Sequence, residues 1–353
     1  MGLTWPLVCV LLVALLQFSI GLSLTMSSKV AILQNKGGGH GEIGYALTKQ
    51  LLASGSSVTI FQDSSYKKTQ QPFKCYDELT SKGAKVEEVK LSDTAAVSAA
   101  LTAGKFNVIV DNNFKDVEAV KAFAAAGADK YIYISSGGMY TGDAPADGKG
   151  YAEACCKVKD DNDCRKVEVA LLNDSAMKDK TTIFRPQYIY GSNTNKRGNI
   201  DYFTDRISRG IPVPMQGDGE QLVALTHVDD VASLLAAACS SKETGIFNAG
   251  TDKFISYKGL CEAIAAKLGK SSSLRYFPYS AKGVSKDLPK PSFPFRPSTF
   301  VLNPAKSKAA FNWSIKHDVA QDLEAWVAQY SQAGLDKKEF VEDEAVVALM
   351  AGP

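Results

Sequence analysis

The chain has 353 residues, of which 45% are hydrophobic and 22% charged, a composition ordinary for a globular protein that buries a real core. Its length suits one large α/β domain with a substrate-side lobe, or two domains. With 40 Lys and Arg against 38 Asp and Glu the net charge is only +2, so any nucleic-acid role rests on local patches, and the seven cysteines are too few and too irregularly spaced for a disulfide scaffold or a zinc ribbon.

Residues 1–28 read as a signal or targeting segment outside the fold. Trp5 to Leu24 is apolar and about as long as a membrane span, but its densest run, Leu7 to Leu16, is short, as in a signal peptide. A positive start is missing, since Met1 to Thr4 carries no Lys or Arg, and small residues follow at Ser19, Gly21 and Ser23. Pro6 stands where myristoylation asks for Ser or Thr. The first reading is a cleaved signal and the second an uncleaved anchor. On the first, Lys29 onward is the working protein, with no stable membrane insertion of the mature chain.

Val30 to Leu33 reads as a short buried strand and Ile43 to Leu52 as a helix. Between them Gly38, Gly41 and Gly44 stand in G-x-x-G-x-x-G order. The first glycine permits a tight turn, the second lets a pyrophosphate approach the positive helix end, and the third lets helix and strand pack closely. The spacing predicts a dinucleotide site of the NAD(P) kind. His40, beside the glycines, is either a phosphate contact or an exposed loop residue. The second strand is Ser57 to Phe61, and the acid that holds an adenosine ribose is expected at its end. Gln62 occupies that place, with Asp63 one residue on. The neutral residue weakens a preference for NAD, while Lys67 and Lys68 are either partners for a 2′-phosphate or a solvated loop.

Further strands are predicted at Lys85 to Val89, Asn107 to Val110, Lys130 to Ile134 and Thr181 to Phe184, with helices at Val117 to Ala125 and Arg165 to Asn173. This alternation predicts a Rossmann-like doubly wound parallel sheet over residues 29–190. Polar residues at strand ends face the ligand crevice of such sheets: Asp111-Asn112-Asn113 and Ser135-Ser136. Asp111 is either a Mg²⁺ ligand or a helix cap. The insertion Gly148 to Cys164 carries Cys155, Cys156 and Cys164, read as thiols in a flexible loop or as a redox or metal site that lacks a fourth soft ligand.

A small α+β lobe is expected over 191–335, interleaved with the core, and an acidic tail over 336–353. Its helices are read at Tyr202 to Arg209, Asp230 to Cys239, Tyr257 to Leu268, Pro304 to Phe311 and Val319 to Tyr330, with a strand at Leu274 to Phe277. Lys196, Arg197, Arg206 and Arg209 are candidates for a phosphate-binding patch or for solvated faces. His227 reads as a structural histidine at a strand end.

The glycine turn, Ser135 to Tyr140, Arg185-Pro186, His227-Val-Asp-Asp230 and Phe247-Asn-Ala-Gly250 resemble the extended short-chain dehydrogenase/reductase superfamily, of the epimerase and dehydratase type. That resemblance implies a Tyr general base, a Lys four residues on and a nearby Ser. Ser136 matches the serine. With Glu168 as anchor, the Lys position falls on Cys164 and the Tyr position on Asp160, which speaks against oxidoreductase chemistry and leaves Ser136 vestigial.

K-G-G-G-H-G-E-I-G (Lys36 to Gly44), V-D-N-N-F-K-D (Val110 to Asp116), F-R-P-Q-Y-I-Y-G-S (Phe184 to Ser192), P-V-P (Pro212 to Pro214) and F-P-F-R (Phe293 to Arg296) resemble, in order along the chain, the chloroplast stem-loop-binding proteins, atypical members of that superfamily. The resemblance implies a plastid protein that binds structured RNA stem-loops and has divalent-metal-dependent endoribonuclease activity. For those roles the candidates among this chain's residues are Asp111 as Mg²⁺ ligand and the cations Lys196, Arg197, Arg206, Arg209 and Arg296, expected around the crevice, as RNA contacts. Association with plastid ribosomes or ribonucleoproteins and a homo-oligomer are further expectations. The alternatives are an NAD(P)-dependent epimerase, dehydratase or reductase, and a non-catalytic dinucleotide-binding scaffold or redox sensor; the alternative address is the secretory pathway.

Overall fold

A computed structural model describes residues 27–35, 41–112, 114–154, 156–194, 196–277 and 293–332. Short, largely buried apolar runs make the inner strands of the central sheet, β1 (Lys29–Gln34), β2 (Ser57–Asp63), β4 (Val108–Asn112), β5 (Lys130–Ile134) and β6 (Thr181–Pro186), whereas β3 (Lys85–Val89) is a charged edge strand with no buried residue. Two short strands, β7 (Ile189–Tyr190) and β8 (Val213–Gln216), follow, then β9 (Leu222–Val223), β10 (Thr226–His227), β11 (Gly245–Ala249), β12 (Ile255–Ser256) and β13 (Leu274–Phe277). The main sheet has seven strands in the order β11-β6-β5-β4-β1-β2-β3, and every neighbouring pair is parallel. The order reverses between β1 and β4, the point at which ligands bind in doubly wound sheets.

The helices are α1 (Gly41–Ala53), α2 (Tyr76–Ser81), α3 (Thr94–Gly104), α4 (Val117–Ala124), α5 (Asp163–Asn173), α6 (Gly198–Arg209), α7 (Val228–Cys239), α8 (Tyr257–Leu268), α9 (Ala305–Phe311) and α10 (Val319–Gln332). Both sheet faces are covered, which is why the central strands are apolar throughout rather than alternating. Ile43, Leu47 and Leu51 of α1 and Val231, Leu234 and Leu235 of α7 pack on one face. Val97 and Leu101 of α3, Val120 and Phe123 of α4, and Val167 and Leu171 of α5 pack on the other. A separate core joins α6, α8 and α10 around Phe203, Phe293, Phe295 and Trp326.

The sequence pattern predicts neither α2 nor α3: α2 is short, and α3 is rich in alanine on all sides, so no apolar stripe announces it. The available signal was Asp93, whose carboxylate accepts from the Ala96 N–H at 3.1 Å as an N-cap.

The chain re-enters the main sheet late, through β11, and later residues complete that edge. Fully buried Asn248 of β11 accepts from the Tyr140 hydroxyl at 2.9 Å. Its side-chain amide donates to the carbonyls of Tyr151 and Asn303 at 2.8 and 3.1 Å. Its own carbonyl accepts from the Ser307 hydroxyl of α9 at 2.5 Å. Among the described residues no helix is long and apolar enough to cross a membrane.

Candidate functional site

A cleft of about 420 Å³ opens at the carboxyl edge of the sheet, lined by Glu42, Ser136, Gln187, Tyr188, Lys196 and Arg296 among others. Each arrives from a different element. Glu42 is in the first turn of α1, Ser136 follows β5, and Gln187 and Tyr188 link β6 to β7. The chain turns sharply there, with Tyr188 at φ +35°, a conformation uncommon for an aromatic residue. Lys196, exposed, precedes α6. Arg296 reaches in from the segment before α9. Its guanidinium donates to the carbonyls of Tyr140 (2.9 Å) and Gly138 (2.5 Å) and lies 3.6 Å over the Phe300 ring. A cation held by two carbonyls and an aromatic face is fixed in place and keeps its charge at the cleft wall.

Among the described residues, the two positions set by Glu168 carry neither the tyrosine nor the lysine of the oxidoreductase constellation. Ser136 accepts from the Gly138 N–H at 3.1 Å. Asp160, at the expected tyrosine position, precedes α5 and its side chain is 91% exposed. Cys164, at the expected lysine position, is buried in the first turn of α5. Hydride chemistry of this kind needs a phenol brought toward neutral pH by a nearby ammonium. The tyrosines around the cleft are shifted the other way: burial raises the phenols of Tyr140, to about 12, and of Tyr151 and Tyr188.

Below the cleft floor lies a buried ion pair. Arg185 of β6 donates to both oxygens of Glu168 on α5, Nε to Oε1 at 2.9 Å and Nη2 to Oε2 at 2.6 Å. The Ser135 hydroxyl donates to Glu168 Oε1 at 2.7 Å, and Arg165 Nη1 reaches Oε2 at 3.3 Å. The Arg185 guanidinium also stacks 4.9 Å from the Tyr140 ring. The pair locks α5 to β6 where the superfamily's acid–base groups would project.

The residues fit a dinucleotide only in part. Gly44 fits its expected packing role: a Cβ there would come within 2.0 Å of Gln34 Oε1, and that amide accepts from Asn112 Nδ2 at 3.0 Å across the β1–β4 reversal. The second and ribose positions do not fit. A Cβ on Gly41 would meet Pro72 Cδ and Phe73 Cζ at 3.3 Å each. Gln62 is fully buried, and its amide oxygen accepts from the Tyr76 hydroxyl at 2.9 Å. Asp63 accepts from the Ser65 N–H at 3.0 Å and the Leu91 N–H at 3.2 Å. Neither Gln62 nor Asp63 is presented to a ribose. Lys68 is paired with Glu88 at 2.5 Å, and Lys67 is an exposed loop residue. Gly38 and His40 lie outside the described residues.

The other expected site residues separate. Asp111 is fully buried, with Oδ1 accepting from the Phe114 N–H at 2.8 Å and Oδ2 from the Tyr131 hydroxyl at 2.7 Å. Mg²⁺ keeps several waters and near-octahedral oxygens, and this enclosure offers it no place; the Mg²⁺ assignment is corrected to a carboxyl that fixes the turn after β4. The patch of four cations is corrected as well. Arg206 is fully buried, donating to the Pro212 carbonyl at 2.5 Å. Arg197 pairs with Asp201 at 2.8 Å and lies 3.9 Å over Trp326, while Arg209 pairs with Asp205 at 2.9 Å. Lys196 and Arg296 remain at the cleft. The i,i+4 acids opposite Arg197 and Arg209 were visible in the sequence; the burial of Arg206 was not. Cys156 is half-buried, its sulfur accepting from the Ala152 N–H at 3.3 Å, and Cys155 lies outside the described residues.

Among the described residues, His227, His317 and Asp322 are the one group of three metal-ligand types with atoms within 4.8 Å of one another. The His rings stack at 3.6 Å, and His317 Nδ1 meets Asp322 Oδ2 at 3.1 Å. His227 Nδ1 accepts from the Asp229 N–H at 3.1 Å and caps α7, so its lone pair is engaged. Burial first, and His317 second, hold its imidazole below the usual range, as suits a structural histidine.

The sequence model of the family described as "NAD dependent epimerase/dehydratase" matches residues 37–250. The chain is 28% identical over 308 residues to the chloroplast stem-loop binding protein of 41 kDa b of Arabidopsis thaliana, covering 85% of this chain and 79% of that protein. The solved dTDP-glucose 4,6-dehydratase of Bacillus anthracis in complex with NAD superimposes with a TM-score of 0.67 at 16% identity, covering 88% of this chain and 98% of the other. For the NAD complex of Thermus thermophilus UDP-glucose 4-epimerase the TM-score is 0.62 at 20% identity, with coverage of 86% and 99%. At such identities the structural likeness speaks for the fold.

Proposed function

The chain belongs to the NAD dependent epimerase/dehydratase family, and from that premise we propose that it is a plastid protein that binds structured RNA stem-loops and performs no hydride transfer. The observation that carries this reading is the replacement of the family's acid–base pair by an exposed Asp160 and a buried Cys164, in a chain similar over most of its length to a protein named for stem-loop binding. The fold is kept while the chemistry that justified it is missing, so function is argued from what the site still offers. It offers a cleft with two cations, Lys196 and Arg296, and aromatic walls at Tyr188 and Phe300. RNA is recognised through phosphates, 2′-hydroxyls and unstacked bases in loops, and such a cleft supplies charge for the phosphates and the half-buried Tyr188 ring for a base, while Phe300 backs Arg296. Metal-dependent cleavage, which the family resemblance implies, finds no support in the surroundings of Asp111 and is not part of the proposal.

Retention of a radiolabelled stem-loop in gel shifts at several salt concentrations tests the reading. Binding that weakens linearly in log–log form with salt is expected, and no salt-dependent retention of any stem-loop refutes it. The second reading, an NAD(P)-dependent epimerase, dehydratase or reductase, is favoured by the family match and by the packing role of Gly44. Robust nicotinamide reduction with a nucleotide sugar would establish it in place of the first.

A further inference from the structure

We propose that the adenosine half of the inherited dinucleotide cleft is filled by the chain's own segment Pro72 to Tyr76, so that the site takes one nucleotide unit rather than two. In dinucleotide folds the second glycine of the fingerprint lacks a side chain so that ligand can approach the backbone. At Gly41 that space is occupied by Pro72 and Phe73, each 3.3 Å from where a Cβ would stand. Phe73 is buried and held on two sides, edge-on to Tyr66 at 5.0 Å and to Tyr76 at 5.5 Å. Tyr76 stacks in turn on Tyr45 of α1.

The same segment disables the ribose position. The Tyr76 hydroxyl takes the Gln62 amide oxygen, and Gln62 Nε2 lies 3.4 Å from the Gln34 carbonyl and 3.3 Å from that of Asp63. A buried amide satisfied in this way is costly to turn outward. Asp63, the next carboxylate along, accepts from the Ser65 N–H in the loop that follows it and from the Leu91 N–H beyond β3. One aromatic segment thus both fills the volume and ties down the group that would read the ribose. The other half of the crevice stays open, as the cleft bounded by Lys196 and Arg296. Its size suits a single phosphate-bearing unit. That this unit belongs to RNA rests on the function proposed above; the filling of the adenosine half does not.

Calorimetric titration of the full chain with NAD⁺ and with nicotinamide mononucleotide tests the proposal. The mononucleotide carries one nucleotide unit and NAD⁺ carries two. The expected result is that the mononucleotide saturates and NAD⁺ binds less than about tenfold more tightly; if neither saturates, the site takes no nucleotide unit and the proposal falls. An advantage above about tenfold, or 1.4 kcal/mol, means that a second nucleoside is accommodated and overturns the proposal. Phe73→Ala is expected to raise the NAD⁺ advantage past that threshold; should it fail to fold by circular dichroism, Phe73→Val, which removes the ring tip beside Gly41 but keeps an apolar side chain in the core, is expected to move it the same way. Folded Phe73 variants that leave the ratio unchanged also count against the proposal. Stem-loop retention is measured on the same wild-type preparation. Its absence removes the RNA reading and leaves the filled half-site standing, whereas a large NAD⁺ advantage removes the filled half-site and leaves RNA binding standing.

Discussion

The buried pair of Glu168 and Arg185 offers the sharpest test of how the cleft floor is built. Glu168→Ala removes a carboxylate that is fully buried and accepts four hydrogen bonds, two from Arg185 and one each from Ser135 and Arg165. Arg185 is itself only 2% exposed, so it is left as an uncompensated interior cation, at a cost of about 4 kcal/mol. The Ser135 hydroxyl loses its acceptor, adding about 1 kcal/mol. A loss of roughly 5 kcal/mol lowers the melting temperature of a domain this large by roughly 10 °C. Urea denaturation followed by circular dichroism measures it. The double variant Glu168→Leu with Arg185→Leu removes both charges at once and is expected to recover most of the loss, because a buried pair is commonly replaceable by apolar residues of similar volume. A single-variant loss below about 1 kcal/mol, or a double variant no better than Glu168→Ala, refutes the reasoning.

Three further outcomes are expected. Lys196→Ala should weaken stem-loop binding for all sequences and reduce the salt slope by about 1, whereas Arg206→Ala should lower the melting temperature instead, since its side chain is interior; an Arg206→Ala protein of unchanged stability speaks against that placement. Burial raises the Asp111 carboxyl from 3.8 to about 6, so the folded state holds this proton more tightly than the unfolded one. Stability is then greatest below about pH 4 and falls as pH rises to about 6, by about 3 kcal/mol from this group; Asp111→Asn should flatten the urea midpoint across that window, and an unchanged slope disproves the assignment. A fluorescent fusion of residues 1–35 should reach the plastid, and secretion of the fusion rules that address out.

The strands were legible because they are brief runs between turn residues, apolar as in Lys130 to Ile134 or alternating as in Lys85 to Val89: these match the observed β5 and β3 of the main sheet end to end, and Leu274 to Phe277 matches β13, which pairs with β8 outside it. The register set by Glu168 was equally legible: it put Asp160 just before α5 and Cys164 in its first turn, where the structure has them. What a linear reading could not supply was direction. Arg206 sits on a helix whose consecutive residues Ile200 to Ile207 are all buried, and nothing in its neighbours separates an inward arginine from an outward one. Gln62 stands where a ribose ligand is expected, and only Tyr76, fourteen residues on, turns it away. Arg296 was identified by motif alone; its place at the cleft depends on carbonyls at Gly138 and Tyr140 more than 150 residues earlier.

The completion of Asn248 by residues on both sides of it in the sequence sets an order on synthesis. Tyr140 and Tyr151 are made before β11, but the Ser307 hydroxyl that closes over the Asn248 carbonyl follows it by 59 residues. At a translation rate of roughly 5–20 residues per second, the nascent chain spends roughly 3–12 s with β11 made and α9 not yet there to cover it. During that interval the Asn248 N–H is already held by Glu153, but the Ile246 and Asn248 carbonyls on the outer edge of the main sheet still lack their Lys306 and Ser307 donors, and an incompletely covered edge is the kind that recruits strands from neighbouring polypeptides. Fragments that stop short of Ala305 carry that edge permanently, so among products of stalled or truncated translation these are the ones that should self-associate.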